Sequence, residues 1–224
     1  MENLTKEKPN KEGSTKQMLH KDMFGDAASE RARFRAKTDA MIAAGQPIYI
    51  QLGFGRHPIP DFLNIDYRYR VLENTQSADF HGHTFIFDWP KGIPLPSDSV
   101  DFIFHEDMYE HLNQKEQYYM LTETLRILKP GRFHRINAPN LEFIMATYSN
   151  FAAGLEGIHD EWTKWHHSAV PTPASLEEQA TIVGYRKVHF NGKGKTISGV
   201  KFRERRPGND LDQAHYNIHA DLEK

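Results

Sequence analysis

The chain has 224 residues, with 28 Lys and Arg against 30 Asp and Glu. A charge balance so near neutral gives no electrostatic ground for nonspecific binding to nucleic acid or anionic membrane. There is no cysteine, which excludes a disulfide framework, thiolate-held metals and a cysteine nucleophile. No stretch approaches the roughly 18 apolar residues of a membrane span, and the polar opening MENLTKEKPNKEGSTKQ has no apolar signal region, so a cytoplasmic protein is expected.

Residues 1–22 hold almost nothing to bury and read as a flexible tail before a single domain over 23–224. Asp26 to Ala44 is rich in helix formers and stops at Gly45, which predicts a helix laid on the domain edge. Strands are expected at 47–52 (PIYIQL), 62–66 (FLNID), 84–88 (TFIFD) and 99–104 (SVDFIF). Tyr118, Leu121, Leu125 and Leu128 fall on helical spacing over 114–128, and Lys-Pro-Gly ends that helix. A fifth strand is expected at 132–138. Ser175 with Glu178 reads as a capping box for a helix to Gly184. A sixth strand follows at 186–190, and a weakly alternating seventh at 216–222 is expected at the sheet edge. Strands separated by helix-like segments imply a largely parallel α/β sheet, whose ligands sit beyond the carboxyl ends of the strands.

The residues there carry the chemistry. Gly53-Phe54-Gly55 lets backbone approach a ligand without a Cβ in the way. The proline-bearing His57-Pro58-Ile59-Pro60 that follows resists the helix a dinucleotide fingerprint needs. Asp66 ends the second strand, where a carboxylate can accept ribose hydroxyls, and Asp88-Trp89 end the third, where they can border an adenine. In HEDMYEH, Tyr109 stands where H-E-x-x-H requires its second histidine. No metal is therefore expected.

The runs YIQLGFGRHPIPDFLNIDYR, FIFDWPKGIPLPSDSVDFIFHEDMYEHL and LTETLRILKPGRFHRINAPN resemble class I S-adenosylmethionine-dependent methyltransferases. The nearest branch joins the glycine turn to an N-x-D segment by a short proline-containing loop. The resemblance covers about residues 47–140. It implies a Rossmann-like, mostly parallel sheet with helices on both faces and S-adenosylmethionine as cofactor. By position, Gly53 and Gly55 would make the methionine-side loop, Asp66 would bind the ribose, Asp88 and Trp89 would border the adenine, and Phe104 and His105 would lie under the cofactor. His105, Glu106 and His111 become the candidate general bases. Phe54 stands at the family's usual loop cysteine, and Arg132 at the second glycine after K-P-G.

In this family the region after the fifth strand commonly covers the acceptor, and here the stretch 141–174 is aromatic, with Phe143, Trp162, Trp165, His166 and His167. It reads as a lid, a packed helical subdomain or a dimer contact. Basic residues from Lys193 to Arg206 read as a solvated loop or as a holder for an anionic acceptor. The expected activity is methyl transfer to an oxygen or nitrogen of a small-molecule acceptor, anionic ones included. The alternative is a noncatalytic protein that binds the cofactor in the same fold.

Overall fold

The computed structural model describes residues 27–67, 82–89, 92–147, 162–205 and 217–224. The proposed tail and the middle of the aromatic stretch lie outside them, as does Arg206. The described elements are α1 (Ala27–Ala43), β1 (Tyr49–Leu52), β2 (Leu63–Asp66), β3 (Thr84–Ile86) and β4 (Val100–Glu106). A 3₁₀ turn (Tyr109–His111), α2 (Gln114–Ile127), β5 (Leu128–Pro139), α3 (Leu141–Thr147), α4 (Pro173–Val183), β6 (Lys187–Phe190) and β7 (Asn217–Glu223) follow. The strands form one sheet in the order β3-β2-β1-β4-β5-β7-β6. The pairs among β1 to β5 are parallel, whereas β7 runs antiparallel to both β5 and β6.

Side chains alternate across a strand, and one face of this sheet is largely apolar. Ile50, Leu63, Phe85, Ile103, Ile136 and Ala220 share a core with Phe34 of α1, Met120 and Leu121 of α2, and Leu176 and Ala180 of α4. Phe34 meets Phe85 edge-to-face, with ring centroids 5.0 Å apart. α1 also finishes the edge strand: Glu30 accepts from the Ile86 amide at 3.2 Å, and Arg33 donates to the Thr84 carbonyl. The free backbone groups of β3 thus meet side chains instead of another chain.

The second face carries two irregular segments. The first, residues 53–62, joins parallel β1 and β2 without a helix. Two buried polar residues stand in for one. Asn64 donates to the carbonyls of Ile59 and Phe62 at 3.1 and 2.9 Å, while its own carbonyl accepts from the Ile59 amide at 2.9 Å. Gln51 accepts from that same amide at 3.0 Å. A loop whose inward-facing polar groups are met in this way avoids the desolvation cost of leaving them orphaned. The second segment, residues 191–205, lays Phe202 on Phe104, Phe102 and Phe62 at centroid distances of 4.6, 5.4 and 5.7 Å.

Beside these rings the second face is ionic. Arg135 of β5 is fully buried opposite Asp221 of β7. Its Nε donates to Glu204 at 2.7 Å, Nη2 to the Gly192 carbonyl at 3.0 Å, and Nη1 to Asn191 and, at 3.5 Å, to Asp221. Asp221 also accepts from Thr196 and the Ile197 amide at 2.7 and 3.0 Å. Arg135 therefore anchors the two ends of the segment to the sheet, and Asp221 its middle.

Two expectations need correction. The seventh strand lies between β5 and β6 and every one of its residues is buried; Asp221 is paired with Arg135, and Glu223 with Arg186 and His189, so its weak alternation does not mark an edge. The last helix is capped by Thr172, with Pro173 at its first turn, and Ser175 is the N3 partner of a reciprocal capping box. Proline suits a first turn because the amide it lacks has no partner there. In α2, Glu123 and Arg126 of the E-x-x-R run act on the chain before β4: Glu123 accepts from the Ile93 amide at 2.6 Å and Arg126 donates to the Leu95 carbonyl at 2.8 Å.

Candidate active site

Chain order reverses across the sheet between β1 and β4, since β2 and β3 lie on one side and β5 on the other. Such a switch point opens a crevice at the carboxyl ends of the strands. Three segments meet there. The turn after β1 places Gly53 and Gly55 at φ values of 64° and 55°, a backbone region that glycine enters without steric cost. Gly55 donates its amide to Asp66 Oδ2 at 2.9 Å, and Oδ1 accepts from the Tyr67 amide at 2.7 Å. Two amides thus orient the Asp66 carboxylate, one on each oxygen.

Gly53 also faces the turn after β4, because a Cβ on it would lie 2.5 Å from Cγ and 2.9 Å from Cβ of Met108. Gly53→Ala combines a left-handed backbone with that collision. It is expected to destabilise the fold by about 1–3 kcal/mol in urea titration, and to weaken cofactor binding as the two turns separate.

The structure brings Gly53, Gly55 and Asp66 together. Asp88 and Trp89 stand beyond the end of β3, where Arg31 of α1 donates to the carbonyls of Asp88 and Gly92 at 3.2 and 2.8 Å. Trp89 is buried in the main core. Phe104 faces the opposite way, into the aromatic cluster around Phe202.

The three candidate bases lie apart. His105 and Glu106 are neighbours on β4 and so point to opposite faces of the sheet. His105 is fully buried between Tyr109, stacked on it at 5.9 Å, and His134, edge-on at 5.0 Å. Burial lowers its pKa to about 3, so its neutral form persists at physiological pH and accepts protons weakly. Glu106 accepts from Asn137 at 2.6 Å and from the Arg205 amide at 3.0 Å. His111 is exposed on the 3₁₀ turn, its ring 4.9 Å from that of His167. Trp162 and Trp165 are exposed as well.

Sequence reasoning missed Met108 against Gly53, Arg31 behind Asp88 and Arg135 beneath 191–205. Each is a long-range contact with no local pattern. A groove of about 400 Å³ bordered by Pro47, Ser97, Asp101 and Lys129 opens at the amino ends of β1 and β4, away from this crevice.

The sheet order, with its antiparallel β7 inserted beside β5, is that of the class I methyltransferases. An S-adenosylmethionine-dependent methyltransferase from Mesorhizobium loti superposes with a TM-score of 0.54 at 15% identity, covering 83% of this chain and 96% of its own. Enzymes described in the same terms from Thermotoga maritima and Archaeoglobus fulgidus each give a TM-score of 0.50 at 13% identity; they cover 94% and 93% of this chain and 99% of their own. At these identities the likeness is one of fold. No protein-family model and no curated protein matches the chain. No helix among the described residues is long and apolar enough to cross a membrane.

Proposed function

We propose that the protein is an S-adenosylmethionine-dependent methyltransferase acting on an oxygen or nitrogen of a small acceptor. One observation carries this reading: the Gly53–Gly55 turn and the Asp66 carboxylate meet at the switch point, joined by the Gly55 amide at 2.9 Å. A backbone open at two glycines suits the methionine end of the cofactor, and an oriented carboxylate suits its ribose diol. Displacement at a sulfonium methyl asks mainly for alignment and exclusion of water. His111, exposed beside the crevice, suits proton removal better than the buried His105. The Arg205 amide on Glu106 brings the basic end of 191–205 to the carboxyl end of β4, which favours an anionic acceptor.

Calorimetric titration with S-adenosylmethionine and S-adenosylhomocysteine tests the reading. Asp66→Ala is expected to weaken both ligands by about a hundredfold or more, the equivalent of two hydrogen bonds to a charged group at about 1.5 kcal/mol each, with the fold retained. Unchanged affinity in the variant, or no binding by the parent, would sink it. Binding without turnover on any acceptor would favour the second reading, a cofactor-binding protein, which the burial of His105 supports.

A further inference from the structure

We propose that Glu110, His111 and His167 form a binding site for one divalent transition-metal ion beside the crevice. One donor atom from each lies within 4.8 Å of the others, and Nε2 of His167 is 3.9 Å from Oε1 of Glu110. A tetrahedral site with bonds near 2.0–2.1 Å has donor edges of about 3.3 Å, so modest side-chain rotation closes the set around an ion. Two imidazoles and one carboxylate suit zinc, cobalt, manganese or ferrous iron better than the oxygen-seeking magnesium and calcium. Three protein ligands also leave a position for water or an acceptor oxygen, and an ion held there occupies the His111 nitrogen that would otherwise take up a proton.

The surroundings are organised for this. Glu110 is fully buried and His167 nearly so, whereas His111 is exposed and provides the way in. A buried carboxylate beside two imidazoles is stabilised by a cation among them. Residues 166–169 are stapled to the 3₁₀ turn: the amides of Ser168 and Ala169 both donate to the Glu110 carbonyl, at 2.7 and 3.1 Å. Gln117 bridges the carbonyls of Tyr109 and Ala169 at 3.1 and 2.9 Å and is itself held by Gln179. Nδ1 of His111 lies 3.4 Å from the His166 carbonyl. A carbonyl only accepts, so that contact places the proton on Nδ1 and the lone pair on Nε2, as in metal-bound histidines whose second nitrogen is held by the protein.

The ion site stands on these residues alone, while its closeness to an acceptor rests on the methyltransferase reading. The full chain, stripped with chelator, is titrated with Zn²⁺ by calorimetry and with Co²⁺ by visible absorption. One ion per chain with the intense absorption of low-coordinate cobalt is expected, weakened at least about tenfold in His167→Ala and in Glu110→Gln. His189→Ala, a distant histidine beside Glu223, is the control and should bind as the parent does. Should His167→Ala fail to fold by circular dichroism, His111→Ala on the exposed side takes its place. No saturable binding, or full binding in both the Glu110 and the histidine variant, would overturn the site. Metal binding in a protein that ignores S-adenosylmethionine would refute the enzyme reading and leave the ion site standing.

Discussion

Arg135→Met should lower the free energy of unfolding by about 3–5 kcal/mol, the range for removing one partner from a buried ion pair. The guanidinium has no exposed surface and meets Glu204, Asp221, Asn191 and the Gly192 carbonyl. Its loss leaves two carboxylates buried without their cation, which costs more than the packing that Met restores. Lysine should not rescue, because an ammonium cannot send separate donors to partners arranged around a planar fork. Urea titrations of the parent and the Met and Lys variants check this. A loss below about 1 kcal/mol, the worth of a surface pair, would mean that the aromatic contacts of Phe202 hold the segment instead.

Acid should unfold the protein through its buried histidines. The pKa of His105 falls from the ordinary 6.5 to about 3 through burial, and that of His134 falls well below its ordinary value through burial and the neighbouring His105. Between those limits the unfolded chain binds a proton that the folded chain refuses. Stability is therefore complete above about pH 6.5 and is lost as pH falls toward 3. For His105 alone the loss approaches roughly 5 kcal/mol at the acid end. His105→Phe, which keeps a ring between Tyr109 and His134, should flatten the fall in urea midpoint between about pH 7 and about pH 4. Parallel curves for parent and variant would show that other groups, such as paired carboxylates, govern the transition.

Much of the sheet was legible because its signals are local. Short apolar runs bounded by glycine and proline marked β1 to β5, and the glycine turn could be tied to Asp66 because each stands at the end of a recognisable strand. What stayed hidden depends on partners far away in the chain. In β7 the sequence N-I-H-A-D-L-E puts polar residues where solvent would be expected, and partners distant in the chain, Arg135, Asn191 and Thr196, explain why Asp221 is buried. His105 and Glu106 are a different case. Adjacent residues of a strand face opposite ways, so their separation follows from the strand itself once it is seen to continue through Glu106. The Glu110–His111–His167 group was half visible in E-H-L, but its third member comes from a segment after β5, past the reach of any fixed spacing.

The place of β7 also governs the order in which the molecule can assemble. Strands β1 to β5 pair with one another, but β6 touches the sheet only through β7, which follows it in the chain. During synthesis, β6 emerges with no pairing partner, and 191–205 emerges before Asp221 can complete the anchor around Arg135. The growing chain therefore holds a parallel half-sheet with one open flank until its last strand arrives. Such late, non-local closure slows folding and leaves an edge open to wrong pairing.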